Sequence, residues 1–68
     1  MIEIIFNGEP RKIEPETTVQ RFLISLNLNS KNGLAIALNH QVLSKDLYRE
    51  TIISEGDKLE IIHATAGG

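Results

Sequence analysis

The sequence predicts an α+β domain, with one short helix packed on one face of a mixed sheet of four to five strands. Three observations carry this. Short segments rich in β-branched residues alternate in polarity, IEIIF at 2–6, LAIAL at 34–38 and KLEIIH at 58–63. Only residues 18–27 repeat apolar side chains at helical spacing, through Val19, Phe22, Leu23 and Leu26. The 68 residues are 41% hydrophobic and 24% charged, a globular balance in a chain with room for one small core.

Each element has its own signal. In the first strand Ile2, Ile4 and Phe6 share one face, and Glu3 and Ile5 the other. Asn7-Gly8 then predicts a tight hairpin, because both residues tolerate positive φ. Pro10 falls in the turn region, residues 11–14 form a return strand with Ile13 inward, and Pro15 stops it. Thr17 and Gln20 have the spacing of a capping box at the helix start. Asn27, Asn29, Ser30, Asn32 and Gly33 make a polar loop that ends the helix. Leu34, Ile36 and Leu38 then face one way, and Ala35 and Ala37 the other. Asn39-His40 turns into a short strand, Gln41 to Leu43. Residues 44–51 show no clean period beyond one helical turn at Leu47-Tyr48. Glu55-Gly56-Asp57 turns into the last strand, which has Leu59 and Ile61 inward. The first and last strands are the apolar-rich central candidates, paired in parallel. The domain is expected over residues 1–63, with 64–68 as a flexible tail.

Composition excludes several functions. The formal charge is −2 and the basic residues are scattered, which argues against nucleic acid as a main partner. Without cysteine there is no disulfide, thiolate ligand or catalytic thiol. The two histidines, His40 and His63, lack metal-ligand spacing, so no metal site is expected. The glycines at 8, 33 and 56 are isolated turn residues and make no phosphate loop. The carboxylates are spread as on a solvated surface. No apolar run approaches a membrane span, and no signal peptide is visible at the start, so a cytoplasmic protein is expected.

What remains is the ending, Ala64-Thr65-Ala66-Gly67-Gly68. Two terminal glycines alone arise by chance in about one chain in 200. Here a strand delivers a leash of small residues, and five extended residues reach about 17 Å. Glycine lets a backbone thread a narrow tunnel. A bare carboxylate is a poor acyl donor. Joined to AMP it becomes a mixed anhydride, from which a sulfur nucleophile displaces AMP to leave a thiocarboxylate. The ATP site must belong to another enzyme.

The chain resembles the ubiquitin-like β-grasp sulfur carriers, and most closely the ThiS family of thiamine biosynthesis. The resemblance rests on Asn7-Gly8-Glu9, Thr18-Val19 with Phe22-Leu23 and Leu26, Ala35 through Asn39, Gly56 through Ile61, and Ala66-Gly67-Gly68. Where the family often shows Val-Pro-Arg followed by Trp, this chain has Leu43-Ser44-Lys45 and Tyr48. The resemblance implies a β-grasp fold and a carrier rather than an enzyme. A ubiquitin-activating-enzyme-like adenylyltransferase would activate Gly68 with ATP and Mg²⁺, neither held by this chain. A cysteine desulfurase or rhodanese-like protein would supply sulfur, and thiazole synthase would receive it. Gly68 would be the acyl carrier, and Gly67 and Ala66 would give clearance.

Three other readings share parts of this pattern. The small subunit of molybdopterin synthase has the same tail chemistry. A ubiquitin-like modifier would join Gly68 to lysines. A plain interaction module would leave the tail inert. A monomer that forms hetero-complexes is expected. The strand faces add one expectation: Ile5, Ile62, Ala35 and Ala37 point away from the helix and form an uncovered apolar partner surface beside the tail.

Overall fold

The computed structural model describes residues 1–28 and 34–63. The elements are β1 (Ile2–Phe6), β2 (Glu9–Ile13), α1 (Val19–Ser25), β3 (Leu34–Leu38), β4 (Gln41–Leu43), a 3-10 turn (Lys45–Leu47) and β5 (Lys58–His63). One five-stranded sheet has the order β2-β1-β5-β3-β4. β1 and β5 pair in parallel, and the other pairings are antiparallel. The expected mixed sheet, central strands and single helix are all present. The predicted tail over 64–68 and most of the polar loop, residues 29–33, lie outside the described residues.

Both tight hairpins use two consecutive residues at positive φ. Asn7 and Gly8 stand at 50° and 84°, and Asn39 and His40 at 51° and 72°. This geometry matches the right-handed twist of the flanking strands. Histidine is the costly member of the set, because a Cβ strains the left-handed region. His40→Gly is therefore expected to stabilise the domain by about 0.5–1 kcal/mol, after allowing for the extra chain entropy of glycine. A thermal melt checks this: a midpoint equal to or below that of the parent contradicts it.

Two local expectations shift. Pro10 lies within β2 rather than in the turn. β2 is a sheet edge, where a missing N–H costs the ladder nothing. The helix cap is Thr18, not Thr17: the Thr18 hydroxyl accepts from the Arg21 amide at 3.1 Å. The Thr17 hydroxyl instead donates to the Glu14 carbonyl at 2.7 Å. With the cap at 18, Gln20 is one residue short of the position that completes a capping box.

The helix ends before residue 27, and the reason is specific. Asn27 takes φ of 60°. The Leu28 amide donates to Leu23 O at 2.9 Å and the Asn27 amide to Ile24 O at 3.0 Å. These two bonds make a Schellman cap with asparagine in the usual glycine position, and Leu23 and Leu28 both join the core.

The core lies between α1 and one sheet face. Ile4 and Val19 are fully buried, and Phe22, Leu23, Ile36 and Leu59 pack with them. Phe6 meets Phe22 edge-on, with ring centroids 5.0 Å apart. One core member, Ile53, comes from the residues between that aperiodic segment and the Glu55-Gly56-Asp57 turn, to which no element is assigned from the sequence. The Ile53 amide donates to Thr17 O and the Val19 amide to Thr51 O, both at 2.9 Å, while the Gln20 amide donates to Tyr48 O at 3.1 Å. The last two occupy orphan donors at the helix start, and the three together fasten residues 48–53 across it. Ile53 is thereby driven into the core at 1% exposure.

Candidate functional site

The candidate site is the tail, so the strand leading to it decides what the fold offers. β5 lies in the middle of the sheet. On one side it pairs with β3 from Leu38↔Leu59 to Leu34↔His63. On the other it pairs with β1 at Ile5↔Lys58 and Phe6↔Leu59. Leu59 is buried in the core and Ile61 packs against it.

Two hairpin asparagines fasten β5 from opposite flanks. Beyond Phe6, β1 turns away at Asn7, yet the Asn7 side chain continues the ladder. Its Oδ1 accepts from the Ile61 amide at 2.9 Å, while its own amide donates to Leu59 O at 2.9 Å. From the β3 side, Asn39 Oδ1 accepts from the Lys58 amide at 3.0 Å, and the Asn39 amide donates to Lys58 O at 2.8 Å. Asn39 Nδ2 donates to Asp57 Oδ1 at 3.1 Å, and Asp57 Oδ2 accepts from the Ser54 amide at 2.7 Å. Sequence reasoning assigned Asn7 and Asn39 to turns only and missed this second task. The available signal was asparagine at the first place of both hairpins, since its side chain can bond a neighbouring strand as well as tolerate positive φ.

The uncovered sheet face differs in part from expectation. Register places Ala35 opposite Ile62, and Ala37 opposite Glu60 on β5 and Val42 on β4. Ile62 is 44% and Val42 69% exposed. Ala37 is only 5% exposed and forms a floor between larger neighbours. Ile5 does not join them. It is half-buried and lies beside Lys58 and Pro10, with Glu60 between Lys58 and Ile62 along β5. Lys58 and Ile62 are about 13 Å apart at strand rise. The apolar patch is thus Val42, Ala37, Ala35 and Ile62, reaching the end of β5 at Ile62, without Ile5. Val42 escaped sequence reasoning because a three-residue strand shows no readable alternation.

Ala66, Gly67 and Gly68 lie outside the described residues. Among the described residues no group of three or more His, Asp or Glu is placed to hold a metal ion. His40 is an exposed turn residue. No helix among the described residues is long and apolar enough to cross a membrane.

With this geometry in place, four likenesses bear on the site. The model of the ThiS family matches residues 4–68. A thiazole synthase of Paramagnetospirillum magneticum is 31% identical over 98% of this chain, which spans only 20% of that protein's length. The sulfur carrier protein ThiS of Escherichia coli is 27% identical over 98% of this chain and 100% of its own. The crystal structure of a thiamine biosynthesis protein (ThiS) from Geobacter metallireducens superposes with a TM-score of 0.85 at 25% identity, covering 98% of this chain and all of that one. The ubiquitin-like architecture expected from the sequence is the fold that this superposition shows.

Proposed function

The chain belongs to the ThiS family, and on that premise we propose that it is a sulfur carrier for thiazole formation in thiamine biosynthesis, with the Gly68 carboxylate as its working group. The observation that carries this reading is the extent of the family match, which runs through the tail to residue 68. The carboxylate attacks the α-phosphate of ATP, pyrophosphate leaves, and an acyl adenylate forms. A protein persulfide then displaces AMP to give an acyl disulfide, and a thiol cleaves its S–S bond, releasing the thiocarboxylate and leaving a disulfide on the donor; free hydrosulfide displaces AMP to the thiocarboxylate directly. An adenylyltransferase resembling ubiquitin-activating enzymes supplies the ATP and Mg²⁺ site, and a desulfurase or rhodanese-like protein supplies the sulfur. This chain contributes no catalyst. It contributes a terminal group without a side chain, held out by an anchored strand, with Gly67 and Ala66 adding little bulk behind it.

Thiazole synthase is the acceptor in this reading. Support comes from the relative of that name, in which a stretch similar to this chain forms one fifth of the same polypeptide. The test is intact mass after incubation with ATP, Mg²⁺, a sulfur source and the adenylyltransferase. Exchange of one oxygen for sulfur is expected. No shift with a demonstrably active enzyme counts against the carrier. Capture of a molybdopterin synthase large subunit in place of thiazole synthase redirects the pathway.

The patch of Val42, Ala37, Ala35 and Ile62 is the proposed contact surface for these enzymes, since it reaches the end of β5 at Ile62 and exposes large apolar side chains on small ones. Val42→Asp and Ile62→Glu are each expected to weaken adenylyltransferase binding by at least about tenfold, or about 1.4 kcal/mol. Both sites are exposed, so stability should move by less than about 0.5 kcal/mol. Isothermal titration of the folded variants decides it, and unaltered affinity removes the patch from the interface.

A further inference from the structure

We propose a second docking surface, a basic groove between α1 and the free edge of β2, that takes an extended acidic segment of a partner polypeptide. The groove has a volume of about 720 Å³. Ile13 and Phe22 line its apolar wall. Arg11 and Arg21 supply its basic side chains, Lys12 borders it at the strand edge from the face it shares with Glu3, and Glu14 is the one carboxylate on its lining. Two arginines thus meet one carboxylate here, in a chain with seven Lys and Arg and nine Asp and Glu. The remaining residues hold five Lys and Arg against eight Asp and Glu. Charge is segregated in a way the scattered basic positions along the sequence conceal.

The groove is prepared for carboxylates. The Arg11 guanidinium carbon lies 5.7 Å from the ring centroids of both Phe6 and Phe22. These contacts hold the guanidinium against the aromatic wall before any partner arrives and keep its charge at the groove. Backbone groups add a second recognition element. β2 is a sheet edge. Phe6 and Glu9 close a two-residue turn and so form a hydrogen-bonded pair, which makes Ile4↔Arg11 and Ile2↔Ile13 the next such pairs. Lys12 then turns its N–H and C=O outward. Pro10 offers no N–H, so an added strand pairs toward Glu14 and away from the hairpin. Edge pairing supplies affinity, and flanking side chains select acidic sequence.

Position gives this surface its use. β1 and β5 run in parallel, so β5 carries the tail toward the Phe6 end of the sheet. Ile13 pairs with Ile2 at the other end. The groove also lies on the helix side, opposite the Val42 and Ile62 patch. One partner can therefore hold the groove while another enzyme works on Gly68.

The test uses the full chain labelled with ¹⁵N and a short synthetic peptide of alternating Val and Glu. Amide shifts are expected to concentrate in β2 and α1. Binding should weaken at least about tenfold when salt shortens the Debye length from about 10 to about 3 Å. The folded variant Arg21→Glu, which leaves the Arg11 contact in place, should lose binding by a similar factor, while Lys12→Glu, on the other face, should weaken it less. Arg11→Lys should weaken it by a smaller factor. Peptide at saturation should leave adenylation of Gly68 unchanged. The proposal is overturned if no shifts appear, if a Val-Gln peptide binds equally well, if shifts centre on Val42 and Ile62, or if single-stranded DNA binds more tightly than the peptide. Because the peptide readout makes no use of the tail, failure of the carrier chemistry and failure of the groove are separately visible.

Discussion

Ile53→Ala is expected to remove about 2–5 kcal/mol of stability, the range for truncating a buried isoleucine and leaving a cavity. At about 0.05–0.15 kcal/mol per residue a domain of this length has only about 3–10 kcal/mol in total. The variant should therefore be largely unfolded near physiological temperature. Its neighbour supplies the control. Ile52 is 51% exposed, whereas Ile53 is at 1%. Ile52→Ala should change stability by no more than about 0.5 kcal/mol. Urea unfolding of both variants, at equal slope, measures the difference. Equal midpoints would show that residues 48–53 are not fastened across the helix start as described.

The second large effect concerns the tail. Deleting Gly68 draws the carboxylate back by about 3.3–3.6 Å along an extended chain. Misplacement by about 1 Å can already cost about a hundredfold in rate. Adenylation, followed by pyrophosphate release, should therefore fall by more than about a hundredfold. The thermal midpoint should stay where it was. Retained turnover in the shortened chain would mean that the partner reads the domain rather than its last carboxylate.

The contrast between these two sites shows what the sequence makes legible. Strand faces could be read wherever five or six residues alternate, so Ile4, Ile36 and Leu59 were identifiable as core. The Asn7-Gly8 and Asn39-His40 turns were identifiable because positive φ restricts residue choice. Ile53 was not, since its burial depends on backbone bonds to Thr17 from a segment distant in sequence. The outer patch was half legible. Alternation assigned Ala35, Ala37 and Ile62 to the right face, but which residues touch across strands depends on register. The parallel offset that puts Ile5 beside Lys58 joins strands from opposite ends of the chain and has no local signal. The basic groove was hidden for a similar reason: Arg21 meets Arg11 only after the helix docks.

The central location of β5 also governs how the molecule carries load. In the carrier reading proposed above, a partner that draws on the residues after His63 would load β5. That strand has a ladder to β3 on one flank, and β1 with the Asn7 amide on the other. A pull along its axis loads these bonds in shear, many at a time. An edge strand under the same pull would peel, one bond after another. Tension applied through the leash is thus shared by both halves of the sheet, and the domain can act as a mechanical anchor while its terminus is drawn taut.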